Sequence, residues 1–425
     1  MSTPFPGKLM QVPRRATAID PILVILPSVS VDAAEAPINS ETRILGLSLA
    51  ERTVLAARRA GFAQVFFLKR DRAAEPGAKT IPSWAVLAES LGSQPTALVI
   101  APATILSETD WLKRLAALPI DPAAWSSLPN RIAALGVGMM QAALAVLHAD
   151  GGAYDIMTVQ QRLAQSFGAA AAIPGKIGPM VVTTPMDIPV AERRLLQGLV
   201  KDSDGFMVRH LDRPVSLQIS RRLASTAVTP TQITMLSIAI GLCGAPFFLS
   251  AHWAWQTLGA LLFLLHSIVD GCDGELARLK FQESTFGGLL DFWGDNIVHA
   301  AIFGCIAAGW ALASTETWPL WLGGAAIAGT LASAGFVHWK QGHGNASSGP
   351  LFTSLSSSRD HSLGRALDAM SSREFIYVTP VLTLLGKGSW ILILGSVGGP
   401  IFLLLLVVVA VSDAKRLSAS NSLAR

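Results

Sequence analysis

Four aspartates lie in an otherwise apolar part of this 425-residue chain, in the runs D-G-C-D-G-E-L-A-R at 270–278 and G-G-L-L-D-F-W-G-D at 287–295. Asp270 and Asp273 are three residues apart, while Gly287, Asp291 and Asp295 recur every fourth residue. On helices, both spacings place side chains on one face. Ionisable groups at membrane depth are costly and mark function by default. Four carboxylates gathered from two neighbouring helices cannot all stay charged without cations, because each opposes the ionisation of the others. The chemistry expected is therefore a site for hard divalent metal, two Mg2+ or Mn2+ ions, held by Asp270, Asp273, Asp291 and Asp295.

The elements that must position these residues follow from hydropathy. The chain is 51% hydrophobic and 15% charged, with a mean hydropathy of +0.46. That apolarity is concentrated beyond Ile233, whereas the first two hundred residues alternate apolar and charged segments. A span needs ~20 predominantly apolar residues. Six membrane helices are expected, over 233–252, 255–278, 286–313, 317–338, 374–387 and 389–412, the fifth short and interrupted by Pro380. Lys280, Lys340, Arg359, Arg365, Arg373, Lys415 and Arg416 fall on one side of this arrangement; Glu316 and Lys387 fall on the other. The positive-inside rule then puts both termini and the carboxylates on the cytoplasmic side of a multi-pass inner-membrane protein. Trp253, Trp255, Trp310 and Trp318 fall near the opposite edge, where interfacial aromatics belong.

Ahead of the membrane part, the short apolar runs Ile22–Leu26, Val65–Leu68 and Ala97–Ala101 read as buried strands, with helical segments such as Ser48–Ala60 between them. Strand–helix–strand order predicts an α/β domain with a mostly parallel sheet. The expected organisation is a soluble α/β domain over 1–195, juxtamembrane amphipathic helices over 196–228, an all-α six-helix membrane domain over 229–414 and a cytoplasmic tail over 415–425. Residues 1–15 contain no apolar core of signal-peptide type. The three cysteines, Cys243, Cys272 and Cys305, lie in membrane segments and suggest neither a disulfide framework nor a zinc site. A net charge of +4 without a basic stripe and interleaved aromatics points to membrane lipids rather than nucleic acid.

Written out, the aspartate runs form D-x2-D-G-x2-A-R-x8-G-x3-D-x3-D, complete at every position. This resembles the signature of the CDP-alcohol phosphotransferase family. The resemblance implies that the four aspartates bind metal and that Asp295 is the general base that deprotonates an acceptor hydroxyl. It implies that Gly274, Ala277, Arg278 and Gly287 bind the CDP moiety, Gly287 also letting two helices approach. A CDP-alcohol donor and an alcohol or phosphorylated alcohol acceptor follow, as does a homodimer. Lys340, Arg365 and Arg373 are candidates for an acceptor phosphate, with positive-inside anchoring as the equal alternative. Glu275 lies off the motif and is expected to tolerate Gln. His266 and His299 sit one turn from Asp270 and Asp295; interior histidines satisfied by a helix neighbour are expected, with a ligand or proton relay as the alternative.

G-L-S-L-A-E-R-T-V-L-A-A-R-R-A-G-F-A-Q-V-F-F-L and V-V-T-T-P-M-D-I-P-V-A-E-R-R-L-L are similar to nucleotidyltransferase segments of inositol-phosphate cytidylyltransferases. Those occur fused to the membrane domain in di-myo-inositol-phosphate-phosphate synthases, the fusion type this chain resembles most. The loop expected to wrap nucleotide phosphates is P-S-V-S-V-D-A-A-E-A-P, without glycine, lysine or arginine, and Ala103 stands where a metal-binding Asp is expected. The N-terminal domain is accordingly read as a degenerate nucleotidyltransferase-like fold. In the linking segment, Arg209, Arg213, Arg221 and Arg222 fit an amphipathic helix reaching headgroups. Thr231 replaces the family's common Asn. The function implied is metal-dependent displacement of CMP from a CDP-linked donor, in phospholipid or inositol-phosphodiester synthesis, the donor being CDP-diacylglycerol or CDP-inositol. The alternatives are a bifunctional enzyme with residual cytidylyltransferase activity and a non-catalytic membrane scaffold.

Overall fold

The computed structural model describes residues 21–27, 38–68, 76–92, 96–117, 121–129, 131–149, 151–173, 178–201, 204–343 and 373–423. The chain divides into two units, Met1–Gly198 and Leu199–Arg425.

The first unit is built on strands whose residues favour a buried pleated surface. In Ile22–Leu26 (β1) every side chain is buried, as expected of a central strand covered on both faces. Gln64–Leu68 (β2), Lys79–Ile81 (β3), Leu98–Pro102 (β4), Trp125–Leu128 (β5), Ile132–Leu135 (β6) and Ala171–Ala172 (β7) complete a sheet of order β7-β5-β6-β4-β1-β2-β3. β1 runs parallel to β2 and β4, and β2 to β3, while β6 is antiparallel to both β4 and β5. The sheet is thus mostly parallel with one antiparallel insertion. Ile22, Val24 and Leu26 join a core with Trp84 and Leu87 of Trp84–Leu91 (α2), Leu144 of Met140–His148 (α4) and Leu163 of Ile156–Phe167 (α5). Alternate residues Leu23 and Ile25 are buried on the opposite face. Leu49–Ala60 (α1) packs there with Thr109–Ala116 (α3). Its start is set by a reciprocal cap, Ser48 Oγ accepting from the Glu51 N–H at 3.0 Å and Glu51 Oε2 from the Ser48 N–H at 2.8 Å. Gly61, at φ 94°, ends it in a left-handed conformation. Asp187–Gln197 (α6) closes the unit, and Asp187 accepts from the Thr183 and Thr184 N–H groups at its N-terminus.

The second unit is helical. After Arg213–Ala224 (α7) come Pro230–Gly244 (α8), Trp253–Lys280 (α9), Thr285–Ser314 (α10), Trp318–His343 (α11), Val378–Leu384 (α12) and Ser389–Leu423 (α13). Among the described residues five helices are long and apolar enough to cross a membrane: Pro230–Leu249, Trp253–Lys280, Thr285–Ser314, Trp318–Lys340 and Ser389–Ser412. The expected sixth, over 374–387, is a short apolar helix at Phe375–Leu384. At 1.5 Å per residue it is roughly half the ~30 Å of hydrocarbon thickness. Glycines set the tightest crossings. A Cβ on Gly329 of α11 would lie 2.8 Å from the Gly399 carbonyl carbon of α13, whereas Gly398 faces open space.

α9 ends and α10 begins at the same end of the bundle, joined by the short turn around Phe281. The opposite end carries exposed Trp253, Trp255 and Trp318, with Trp310 edge-on to Trp318 at 4.6 Å.

Candidate active site

The carboxylates are placed by helix phase and by one unusually close crossing. α10 starts at Ser284, whose Oγ accepts from the Gly287 N–H at 3.0 Å, so Asp291 and Asp295 fall in its second and third turns. A Cβ at Gly294 would run into Ile238 Cδ1 of α8, and one at Gly241 of α8 would lie 2.6 Å from Val298 Cγ1 of α10. Small residues here let α10 pack closely on α8, which also packs against α9, and so bring the acidic faces of α9 and α10 together. Gly287 does not serve this purpose: its Cβ would meet only Ser284 of its own cap. The expected close approach at Gly287 is therefore corrected to Gly294 and Gly241, because Gly287 lies in the first turn, before the helices cross.

Asp270, Asp291 and Asp295 each offer an oxygen within 4.8 Å of the others. Oδ1 of Asp291 is buried without a hydrogen-bond partner. Asp273, 8% exposed, is turned to a different neighbour, its Oδ2 accepting a hydrogen bond from the Thr234 hydroxyl of α8. Three carboxylates from two helices, supplying only oxygen, fit a hard divalent cation.

His266, 2% exposed, reaches across helices rather than along its own. Its Nδ1 lies 2.8 Å from the Ser237 carbonyl oxygen of α8 and its Nε2 lies 3.4 Å from Asp295 Oδ1. A carbonyl only accepts, so Nδ1 carries the proton and Nε2 faces the carboxylate. His299 has the expected intrahelical partner, with Nδ1 2.6 Å from the Asp295 carbonyl oxygen. Phe263 stacks on His266 and meets the edge of His299.

The other motif residues line the same end of α9. Ala277 is buried, and the Arg278 guanidinium folds back along the helix, its Nη1 3.5 Å from where a Gly274 Cβ would stand. Lys340 is half-buried at the end of the α11 span. Arg365 lies outside the described residues, as does the side chain of Arg373; so do residues 28–37, expected to wrap nucleotide phosphates, and the Ser-rich stretch 347–358.

Glu275 is the residue sequence reasoning missed. It is fully buried and accepts from Arg213 Nη1 at 2.6 Å, Ser216 Oγ at 2.7 Å and Ser220 Oγ at 2.7 Å, all on α7. Off the motif, it is nonetheless a buried member of a polar network with α7. The expected place of Arg213 is corrected: it does not reach toward headgroups. It is 11% exposed, with Nε and Nη2 donating to the two oxygens of Asp204 at 2.8 and 3.0 Å. Burial pushes the Asp204 carboxyl up, but Arg213 and the Lys201 backbone N–H outweigh it and hold it below the usual range. Arg221 and Arg222 are exposed. A second tie joins Asp212 to the Tyr377 hydroxyl, which donates to it. Lys280 Nζ, at the end of α9, donates to the Thr226 and Val228 carbonyls at 2.6 and 2.8 Å and anchors the α7–α8 turn. The one local hint of this was the spacing of Arg213, Ser216 and Ser220, which recur on one face of α7.

Residues 227–355 match the CDP-alcohol phosphatidyltransferase family, and the chain carries a domain of that family. Its curated relatives are more specific. A protein of Rubrobacter xylanophilus named bifunctional IPC transferase and DIPP synthase is 34% identical over 183 residues, 42% of this chain and 39% of that protein. One of the same name from Thermococcus kodakarensis is 36% identical over 141 residues, 33% of this chain and 30% of that protein. The chain thus matches less than half the length of these relatives. Among solved structures, Mycobacterium tuberculosis phosphatidylinositol phosphate synthase with CDP-DAG bound is 17% identical, covering 47% of this chain and 91% of that one, at a TM-score of 0.31.

Proposed function

We propose that this chain is an integral-membrane CDP-alcohol phosphotransferase that displaces CMP from a CDP-linked donor with an alcohol acceptor. The observation that carries this reading is the convergence of Asp270, Asp291 and Asp295 within the stretch matching the family. Asp270, Asp273, Asp291 and Asp295 would hold two divalent ions, Mg2+ or Mn2+. When bound, such ions neutralise charge on the donor diphosphate and polarise the phosphoryl group. Gly274 and Ala277 present bare backbone to the cytidine, with Gly287 bordering it, and Arg278 binds the diphosphate as a planar fork of donors. Asp295 accepts the acceptor's hydroxyl proton. The acceptor oxygen then bonds to the β-phosphorus as the bond from that phosphorus to the CMP oxygen breaks, and CMP leaves with the electron pair. Lys340, Arg365 and Arg373 meet the phosphate of a phosphorylated acceptor.

The names of the curated relatives, including an archaetidylinositol phosphate synthase, favour an inositol-containing substrate. The donor is CDP-inositol or CDP-diacylglycerol. The working division is an α/β domain over 1–195, a juxtamembrane segment over 196–228, the membrane domain over 229–414 and a tail from 415. Buried Ala103, in the place of an expected metal-binding Asp, supports an α/β domain of nucleotidyltransferase type that no longer transfers nucleotides. Phe375–Leu384 acts as a short sixth helix. The site and both termini are cytoplasmic by the Lys and Arg distribution, and the working assembly is a homodimer.

The test is CMP release by the full-length protein in detergent with Mg2+, CDP-diacylglycerol or CDP-inositol, and inositol and glycerol acceptors with and without phosphate. Release lost in Asp295→Asn supports the reading, and the phase holding the product names the donor class. Release that survives that substitution, or exhaustive chelation, overturns it.

A further inference from the structure

Glu275 and Arg278 are three residues apart on α9, the separation at which a carboxylate and a guanidinium on one helix pair with each other. They do not pair here. Both Glu275 oxygens are occupied from α7, Oε1 by Arg213 Nη1 and Ser216 Oγ, Oε2 by Ser220 Oγ. Arg213 is in turn fixed by the two-pronged contact of its Nε and Nη2 with Asp204. Arg278 forms no ion pair among the described residues, and its guanidinium lies over Gly274, one turn beyond Asp270 on the same face.

We propose that Arg213 is a positioning residue: by saturating Glu275 from the neighbouring helix, it prevents Glu275 from capturing Arg278 and keeps that guanidinium available to the diphosphate of a nucleotide donor. This rests on the function proposed above. The physical argument is a competition for one carboxylate. Glu275 is fully buried, and a buried charge left without a counter-charge is costly. Without Arg213 the nearest guanidinium on its own helix is Arg278, which needs only a rotamer change to reach it. A fork already held by Asp204 loses less freedom on pairing than a mobile side chain does, so Arg213 wins the competition in the intact chain. Ser216 and Ser220 contribute hydrogen bonds but no charge.

The experiment measures affinity for CDP with Mn2+ by calorimetry on the full-length protein in detergent, with KM and kcat for the CDP-linked donor alongside. Arg278→Met is expected to weaken CDP about tenfold, the scale of a hydrogen bond to a charged group. Arg213→Met should weaken it by a similar factor, because the same guanidinium is withdrawn, and should raise KM more than it lowers kcat. Combined, the two should cost no more than either alone. Arg213→Met with Glu275→Gln should return affinity to near wild type, because no carboxylate remains to capture Arg278. Glu275→Gln alone, which keeps shape and hydrogen bonding, should leave CDP affinity intact even if thermal stability falls. It keeps the test open if Arg213→Met does not fold. Losses that multiply in Arg213→Met with Arg278→Met, or a loss of CDP affinity in Glu275→Gln, would overturn the proposal and leave a merely structural clamp. An Arg278→Met protein that binds CDP as wild type does would overturn the donor contact assigned to Arg278 and this proposal together.

Discussion

Helix α9 contributes one buried carboxylate to each of two groups, and the fold treats the groups differently. Glu275 is met by a guanidinium and two hydroxyls, all from α7. Asp270 instead meets other carboxylates, Asp291 and Asp295 from α10, within 4.8 Å. The first arrangement brings its own counter-charge and so serves structure. The second gathers like charge, which opposes folding until a cation enters. Burial of an acid is therefore no guide to its role; the sign of what surrounds it is. The two α9 members, Asp270 and Glu275, lie within six residues of one another, and at ~100° per residue an offset of about 140° around the helix separates a fold contact from a site.

The sharpest way to break this comparison is to neutralise one member of each group. Asp295→Asn is expected to lower the rate of CMP release by ~10²–10⁴-fold, the scale of general-base catalysis. Thermal unfolding in metal-free detergent should stay unchanged or move upward, since one repelling charge is gone. A stability loss with activity retained would reverse the assignment. Glu275→Ala should do the opposite and lower stability by ~3–5 kcal/mol, because Arg213 is left in a buried setting with half its carboxylate partners. Urea or thermal denaturation of the purified protein checks it.

Smaller effects separate the two glycines. Gly294→Ala pushes a methyl into Ile238 and should cost ~1–3 kcal/mol, the usual range for overpacking. It should also weaken Mn2+ binding by spreading Asp291 and Asp295 from Asp270. Gly287→Ala meets only the Ser284 hydroxyl and should leave stability near wild type. Equal losses at both positions would show that the α8–α10 crossing is not what gathers the acids.

The smallest expected effect is a pH dependence on the structural side. Asp204 is held below its ordinary pKa in the folded chain; burial works against this, but Arg213 and Lys201 prevail. A carboxyl with a depressed folded pKa binds its proton more readily when unfolded, so its stabilisation is present above the unfolded value of ~3.9. It is lost as pH falls through the folded value. The thermal-stability gap between wild type and Asp204→Asn should hold steady from about pH 7 to 5 and close below about 4. A gap that widens in acid would contradict the Asp204–Arg213 contact.

Much of the architecture was legible because it depends on local rules. The apolar run Ile22–Leu26 read as a buried strand and became the central one, and the helical segment expected over Ser48–Ala60 became α1. The apolar stretches located the five long helices; the sixth expected over 374–387, noted as short and interrupted by Pro380, forms only the short helix Phe375–Leu384. The site was legible in part for the same reason. Helical period alone put Asp270 and Asp273 on one face of α9 and Asp291 and Asp295 on one face of α10.

What chain order could not convey is which face meets which helix. Thr234 meets Asp273, Ser237 orients His266 toward Asp295, and Arg213 reaches Glu275 across 62 positions of sequence. Such contacts have no periodicity to read, since they arise only when distant segments pack. From sequence by itself come the residue types, their spacing and the helices that carry them, because backbone geometry ties side-chain direction to residue number. Only the tertiary structure decided that three aspartates converge, that Gly294 rather than Gly287 permits the crossing, and that Glu275 belongs to the fold. Those outcomes depend on side-chain volume and counter-charge at helix contacts, which no single segment encodes.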